Sequence, residues 1–343
     1  MDRSRIAPSL TASMPTGLGR ARAMGALAAV GASVASLHRA DSVTNEVWLT
    51  PELAVRVNRD ASLRLHREAV LSQALPDAVG YPPLVMHGGE VGSDWLVTQR
   101  LPGIPLSRAW PTMATTQRRE AVGQVAERLR AVHATPCPRL DGLHDVPHLL
   151  DAAPTGRGAT ARLLSALRRA GQLDHVDAAL MDDAAAMVVA TADALDPFDA
   201  QTIVHGDLTF ENILWDEDHV TALLDFEYAR AGPPDLDLDV LLRFVAMPHL
   251  HVAADYEDQT RAADYADIPW WFAEDYPELF AHPRQLERMR LYSVAWNVRE
   301  LLSFPPTEPL PRLHHDHAYQ RLVQLLRGTS YLDRMNGAPA LDF

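Results

Sequence analysis

The sequence of 343 residues contains no lysine, so all of its 31 basic residues are arginines. This absence excludes every chemistry that needs an amino side chain, including a Schiff base, a lysine general base and the lysine of a Walker A phosphate loop. A cationic contact to nucleotide phosphates must therefore come from arginine, a metal ion or backbone N–H groups.

Cysteines, long apolar runs and excess positive charge are also missing. Cys137 is the only cysteine, which leaves no disulfide framework and predicts a reducing, cytoplasmic compartment. No apolar run approaches the length of a membrane span, and residues 23–37 begin too late and lack the Leu/Val core of a signal peptide. The net charge of −14 argues against nucleic-acid binding and is compatible with a cationic substrate.

One stretch in the second half of the chain combines two apolar runs with polar clusters. The first cluster contains Asp207 and, five residues later, Asn212, and the second cluster begins at Asp225. Between them, segments 213–215 and 220–224 predict two short strands joined by a polar turn. Such a hairpin can bring the two carboxylates and the amide to one edge.

Phosphoryl transfer uses this combination of side chains. One carboxylate orients the attacking hydroxyl, while a second carboxylate and an amide oxygen hold magnesium on the phosphates. A single Asp in a turn or Asn in a loop is usually solvated or a cap. The ordered set H-G-D-L-x-x-x-N, followed by apolar-apolar-D-F, is far more specific.

This ordered set resembles the aminoglycoside phosphotransferase and choline kinase family, whose fold is similar to that of protein kinases. Protein kinases carry H-R-D-x-x-x-x-N and D-F-G at the matching places. Gly206 stands in place of their Arg and Glu227 in place of their Gly, as is typical of the small-molecule branch. The resemblance implies an α+β, protein-kinase-like fold of two lobes, the small one antiparallel β with one helix and the large one mostly helical. The implied organisation is a mobile lead-in at 1–20, a nucleotide-binding lobe at 21–99 and a catalytic and substrate-binding lobe at 100–343.

The resemblance also implies roles for single residues. Asp207 would orient the acceptor hydroxyl and take its proton, and Asn212 and Asp225 would hold Mg²⁺. The phosphoryl donor would be ATP or GTP. The hinge at the end of the small lobe would hold the purine through its backbone, at Thr98, Gln99 and Leu101.

The small lobe is predicted to place a phosphate-binding arginine on its third strand. The pattern predicts strands at 33–38, 45–50 and 53–57, and the polar turn 41–44 could lay backbone N–H groups over phosphates. From the residues alone, Arg56 is as well explained as an exposed strand residue. The resemblance implies instead that Arg56 contacts the α- and β-phosphates and is paired with Glu68.

A second acidic segment, residues 255–278, contains eight carboxylates against one arginine and is rich in aromatic rings. One interpretation is a solvated helix surface with its aromatic residues in the core. The other is a substrate wall, where rings stack on the ligand and carboxylates meet amines. The candidates for that wall are Asp255, Asp267, Trp270, Trp271 and Glu274.

Several remaining residues are predicted to be structural. His133 closes an amphipathic helix at 118–133, and Asp237 matches a family position that braces the catalytic loop. The cluster His314–His317 offers metal ligands but has no second ligand pair nearby in sequence, so it is predicted to be a surface run.

The other predicted elements are strands at 81–86 and 95–99 and helices at 63–75, 160–169, 178–195, 286–302 and 317–326. The helix at 178–195 is Ala- and Met-rich and is predicted to lie buried under the catalytic loop.

These observations predict a Mg²⁺-dependent kinase that phosphorylates a hydroxyl of a small molecule. The resemblance implies an antibiotic or a similar natural product as the acceptor. Two alternatives stay open: a metabolic kinase acting on choline, an amino alcohol or a sugar, and a non-catalytic nucleotide-binding protein. The sequence indicates no nucleic-acid or membrane partner and leaves the oligomeric state open.

Overall fold

The structure is a computed structural model that describes residues 16–40, 45–59, 62–90, 92–140, 143, 150, 156–198 and 201–334. Its N-terminal elements are α1 (Thr16–Ala29), β1 (His38–Ala40), β2 (Glu46–Leu49), β3 (Leu53–Val57), α2 (Arg64–Ser72), β4 (Leu84–Gly88) and β5 (Trp95–Gln99). The five strands form one antiparallel sheet in the order β1-β2-β3-β5-β4.

The central strand β3 separates the two faces of this sheet. Val55 and Val57 are fully buried in a cluster with Ala26 and Leu27 of α1. Because side chains alternate along a strand, Arg56 points to the opposite face. The predicted orientation of this strand is confirmed.

The predicted strand at 33–38 is wrong, since the first strand is His38–Ala40. Val34 and Leu37 are three residues apart, and both pack against the N-terminal core. Leu37 N–H donates to the carbonyl of Val34, so a turn and not a strand brings both side chains to that side. The predicted phosphate-covering turn at 41–44 lies outside the described residues, and α1 begins inside the predicted lead-in.

The rest of the chain is mostly helical and carries two small sheets, β6-β8-β9 and β7-β10. Its elements are β6 (Ile104–Pro105), α3 (Leu106–Ala109), α4 (Thr115–His133), α5 (Gly156–Ala170), α6 (Ala178–Thr191), β7 (Ile203–Val204), β8 (Ile213–Asp216), β9 (His219–Leu223), β10 (Arg230–Ala231), α7 (Asp235–Ala246), α8 (Ile268–Asp275), α9 (Gln285–Ser303), α10 (Ala318–Leu326) and α11 (Tyr331–Arg334). The predicted α+β fold, with a small antiparallel lobe and a mostly helical large lobe, is confirmed.

Helix α4 supports the strands that border the predicted catalytic region. It packs against β7, β9 and α8, and its buried stripe is the one that the sequence predicts. The residues of the stripe are Val122, Val125, Ala126, Leu129 and Val132. The hairpin and the loop before it therefore rest on a helix inside the large apolar core.

Helix α6 does not lie under the catalytic loop, so that prediction is wrong. It packs against α5, α9 and α10, and Val189 is 61% exposed. Alanine side chains are tolerated at buried and exposed helix positions alike, so an Ala-rich composition does not decide burial. Within the described ranges, no helix is both long and apolar enough to cross a bilayer.

Candidate active site

The loop between β7 and β8 turns sharply at Gly206. Its φ is +80°, and an added Cβ would lie 2.5 Å from the carbonyl oxygen of Tyr228. Only glycine accepts this conformation at no steric cost, and it also removes the clash. Gly206 thus lets the loop pass close to the segment that follows the hairpin.

Asp207 and Asn212 meet across this loop, as the spacing predicts. Asn212 Nδ2 donates to the backbone oxygen of Asp207 at 2.8 Å and to its Oδ2 at 3.1 Å. The backbone oxygen of Asn212 accepts the N–H of Leu224 at 2.8 Å, which ties the loop to the end of β9. Burial, assisted by the charge of Asp225, raises the pKa of the Asp207 carboxyl.

Asp225 follows β9 in the left-handed region, with φ 64° and ψ 61°. This conformation is uncommon for any residue other than glycine. His205 holds the preceding residue in place, because its Nε2 donates to the carbonyl of Leu224 at 2.9 Å while its Nδ1 accepts the N–H of Asp207. The imidazole thus fastens this loop to the residue before Asp225.

Arg56 reaches from the small sheet to this carboxylate. Its Nη1 lies 2.5 Å from Glu68 Oε2, and its Nη2 lies 2.5 Å from Asp225 Oδ1. Burial alone would lower the pKa of Arg56, but the charges of Asp225 and Glu68 hold it well above its usual value. The predicted Arg56–Glu68 pair is confirmed, and the alternative of an exposed strand arginine is wrong, since the side chain is only 14% exposed.

Glu227 and Tyr81 also belong to this network, and the sequence does not predict their roles. Glu227 is fully buried, accepts from Asn45 Nδ2 at 2.5 Å and lies 3.4 Å from Arg56 Nη2. Burial and the charge of Asp225 raise the pKa of Glu227 to about 8. Tyr81 donates to Glu68 Oε1 at 3.0 Å. The only available signal was that Glu227 replaces a glycine in the D-F-G motif.

The donor set at the centre of the site fits a magnesium ion. Mg²⁺ prefers carboxylate and carbonyl oxygens. The amide nitrogen of Asn212 is engaged with Asp207, which leaves its Oδ1 as the atom for a metal. Asp225 contacts Arg56 through Oδ1, and its side chain is 24% exposed.

Asp237, at the start of α7, braces the catalytic loop. Its carboxylate accepts the N–H groups of His205 and Gly206, both at 2.7 Å, and lies 3.0 Å from His133 Nε2. Burial alone would raise the pKa of Asp237, but hydrogen bonds from His133 and Gly206 bring it below its usual value. The predicted structural roles of Asp237 and His133 are confirmed.

A family model described as the phosphotransferase enzyme family matches residues 21–271. The chain belongs to this phosphotransferase family. An aminoglycoside 3'-phosphotransferase of Streptomyces ribosidificus is 27% identical over 265 residues, which cover 72% of the chain and 85% of that protein.

Two solved structures share the fold of this phosphotransferase. One is a thermostable variant of aminoglycoside phosphotransferase APH(4)-Ia in ternary complex with ADP and hygromycin B. It has a TM-score of 0.57 and 16% identity, and the match covers 93% of the chain and 98% of that structure. The other is a choline/ethanolamine kinase family protein from Mesorhizobium loti, with a TM-score of 0.57, 18% identity and coverage of 92% and 98%.

The predicted hinge of the phosphotransferase leaves the small sheet at the end of β5. Thr98 is buried and pairs with Ala54 in the sheet, whereas Leu101 is half-buried. The N–H of Gln99 donates to the carbonyl of Pro83 at 2.9 Å. Purine binding by this segment stays a prediction.

Asp255 is linked through Arg108 to the loop between β7 and β8 of the phosphotransferase. It pairs with Arg108 at 3.2 Å, and the Arg108 guanidinium stacks 4.1 Å from the ring centroid of Tyr256. Arg108 Nε also lies 3.9 Å from Glu211, the neighbour of Asn212. The start of the acidic segment is therefore connected to the residues that carry the predicted chemistry.

The other four candidates for the substrate wall belong to α8 or lie just before it. Glu274 pairs with Arg119 of α4 at 3.1 Å, and Trp271 packs partly against the core. Asp267 and Trp270 are exposed. Substrate contact by any of these residues stays a prediction.

Proposed function

We propose that the chain transfers the γ-phosphoryl group of ATP or GTP to a hydroxyl of a small molecule, namely an aminoglycoside-like antibiotic or another natural product. The observation that carries this proposal is the convergence of Asp207, Asn212 and Asp225, with Arg56 reaching the last of them. The name of the Streptomyces relative and the antibiotic in one structural neighbour support this acceptor class.

Asp207 orients the acceptor hydroxyl and accepts its proton. The carboxylate is held by Asn212, and burial raises its pKa, which makes it a better proton acceptor than a solvated Asp. Asn212 and Asp225 hold Mg²⁺, which when bound neutralises charge on the phosphates. Catalysis then depends mainly on the positioning of the reactants and on charge neutralisation.

Arg56 contacts the α- and β-phosphates of the nucleotide. Glu68 fixes one edge of its guanidinium, and the chain has no lysine to take this role. A planar guanidinium presents several N–H donors in fixed directions, so it can hold a carboxylate and face phosphate oxygens together.

The acidic segment 255–278 receives a cationic acceptor. Its carboxylates suit the amino groups of an aminoglycoside, and the exposed ring of Trp270 offers a stacking surface. Of these candidates, Asp255 is the one linked to the catalytic loop, because Arg108 contacts both Asp255 and Glu211. We assign substrate contact to Asp255, Asp267, Trp270, Trp271 and Glu274.

A second candidate is a metabolic kinase acting on choline, an amino alcohol or a sugar. It is favoured by the choline/ethanolamine kinase family neighbour, which has the same fold. A cationic amino alcohol would suit the same acidic and aromatic residues.

Nucleotide consumption with Mg²⁺ tests both candidates and the non-catalytic alternative. ATP and GTP are each supplied with aminoglycosides of several classes, choline, ethanolamine and simple sugars. The proposal expects product with at least one aminoglycoside, and Asp207→Asn should slow its formation by about 10²–10⁴-fold. Turnover of choline or sugars alone would favour the metabolic kinase. Nucleotide binding without consumption on a broad panel would make the chain a binding protein.

A further inference from the structure

Three histidines and one aspartate from two distant segments converge outside the active site. His314, His315 and Asp316 lie in the turn that precedes α10. His249 lies in the 3-10 turn Pro248–Leu250 that follows α7, 67 residues from Asp316 in sequence. The fold thus supplies a ligand that is not visible from the sequence pattern.

Three imidazole nitrogens lie near a single carboxylate oxygen in this cluster. Asp316 Oδ2 lies 3.0 Å from His249 Nε2, 3.3 Å from His315 Nε2 and 3.6 Å from His314 Nδ1. In a tetrahedral zinc site with ion-to-ligand distances of about 2.0–2.1 Å, neighbouring ligand atoms are about 3.3 Å apart. The ligand atoms of the three residues in the turn also lie within 4.8 Å of one another.

Hydrogen bonding alone does not explain the cluster. Of the three imidazole nitrogens around Asp316 Oδ2, His249 Nε2 hydrogen-bonds to it at 3.0 Å, whereas His315 Nε2 at 3.3 Å and His314 Nδ1 at 3.6 Å lie near it without forming such a bond. His314 Nδ1 accepts the N–H of Asp316 at 3.3 Å, so it carries a lone pair and has no proton to donate. Because that lone pair accepts a backbone N–H, His314 would meet an ion through its other ring nitrogen, Nε2.

In this cluster the Asp316 carboxylate is held in place, whereas the imidazoles of His249 and His315 can change rotamer. The Asp316 side chain is buried, and Arg321 donates to its backbone oxygen while Arg321 Nε donates to Asn297 Oδ1 at 2.8 Å. The imidazoles of His249 and His315 are 38% and 72% exposed, so they can rotate to draw the ligands together around an ion. His317 is excluded, because its ligand atoms do not join those of the other three residues in the turn, and its Nδ1 caps α10 by accepting the N–H of Tyr319.

We propose that His249, His314, His315 and Asp316 form a site for a transition-metal ion of the Zn²⁺ class, separate from the catalytic magnesium site. Three imidazoles and one carboxylate suit this class of ion, whereas Mg²⁺ prefers oxygen ligands throughout. Four protein ligands complete a tetrahedron, which assigns the ion a structural role. It joins the end of α7 to the start of α10, and α7 carries the brace Asp237 at its other end.

The test uses the full chain, stripped of metal by a chelator and kept in excess Mg²⁺ to occupy the catalytic oxygen ligands. The wild type should bind one Co²⁺ with the intense visible absorption of four-coordinate cobalt, and Zn²⁺ should displace it. His249→Gln and His315→Gln should each weaken binding on the order of a hundredfold. His219→Gln is the matched control, because it removes a surface histidine that also pairs with an aspartate, Asp218, at 3.0 Å.

Thermal unfolding gives a second readout. Zn²⁺ at about a hundred times its dissociation constant should raise the Tm of the wild type and of His219→Gln by about 3–8 °C. It should raise the Tm of His249→Gln by no more than about 1 °C. Without metal, the Tm of His219→Gln should match that of the wild type, because the His219 side chain is exposed. The Tm of His249→Gln is compared with its own metal-free value, because His249 also hydrogen-bonds to the buried Asp316. Absence of four-coordinate cobalt in the wild type, or equal affinity in wild type and His249→Gln, would overturn the proposal.

Discussion

At Gly206 the backbone conformation and the space beside it both exclude a side chain. Gly206→Ala should lower the free energy of unfolding by about 2–4 kcal/mol, because it adds left-handed strain to a contact of 2.5 Å with the Tyr228 carbonyl. Gly25→Ala is the control: it lies in α1 with no atom within 4 Å, and should stabilise the protein by about 0.5–1 kcal/mol. Urea unfolding measures both, and equal effects would contradict this account of Gly206.

Asp207 should be needed for turnover and not for nucleotide binding. Asp207→Asn retains an oxygen that can accept from Asn212 but removes the proton acceptor, so kcat should fall by about 10²–10⁴-fold. The nucleotide Kd should change little, which calorimetry with Mg²⁺-nucleotide would show. A variant that keeps more than about a tenth of wild-type turnover would exclude Asp207 as the base.

Arg56 and Glu68 should act as a unit. Arg56→Lys keeps the charge but loses the planar fork that reaches Glu68 and Asp225 together, so nucleotide kcat/KM should fall about 10-fold or more. Glu68→Gln should produce a similar loss, and the double variant should lose less than the product of the two. A double-mutant cycle in nucleotide kcat/KM measures this coupling, and strictly multiplicative losses would mean that the pair has no shared role.

The first turn of helix α7 carries Asp237, whose carboxylate orders the loop between β7 and β8. The pKa of Asp237 is lowered in the folded state, so its stabilising contribution is complete above its unfolded pKa of about 3.9 and is lost as pH falls through the folded value. Asp237→Asn should therefore cost about 3–5 kcal/mol near pH 7 and progressively less below about pH 4. Urea unfolding of both proteins across this range measures the difference, and a cost independent of pH would refute the charged brace.

The elements around Asp207 could be predicted from the sequence because they are local. The loop from Asp207 to Asn212 spans five residues, and a short hairpin joins it to Asp225, so pattern and turn chemistry determine their proximity. The contact between Arg56 and Asp225 crosses 169 residues, and no local pattern contains it. The role of Glu227 could not be predicted for the same reason, because its burial depends on distant contacts with α2 and with the small sheet.

Short apolar segments were the other source of error. Residues 33–38 alternate like a strand, yet the turn at Val34 and Leu37 packs against α1. Periodicity over six residues does not separate these outcomes, because tertiary contacts decide between them. In the longer helix α4, the apolar stripe extends over several turns and its burial was predicted.

Over the whole molecule, the absence of lysine makes chemical modification selective. An amine-acylating reagent finds no side-chain amine, so activity should survive it. A dicarbonyl reagent specific for arginine should inactivate the enzyme, and Mg²⁺-nucleotide should slow this if Arg56 contacts phosphates. Residual kcat/KM after timed treatment measures both, and inactivation at the same rate with and without nucleotide would argue against an arginine at the phosphates.

The ion pair between Arg56 and Asp225 has a consequence for ligand order. In the nucleotide-free protein the guanidinium neutralises the carboxylate that the metal requires, so free Mg²⁺ competes with an internal cation. With the proposed roles of both residues, a triphosphate would supply Arg56 with a replacement anion and release Asp225. Metal and nucleotide would then act as mutual effectors, each strengthening the binding of the other by the same factor. In this proposal the arginine occupies the metal position until the phosphates bind.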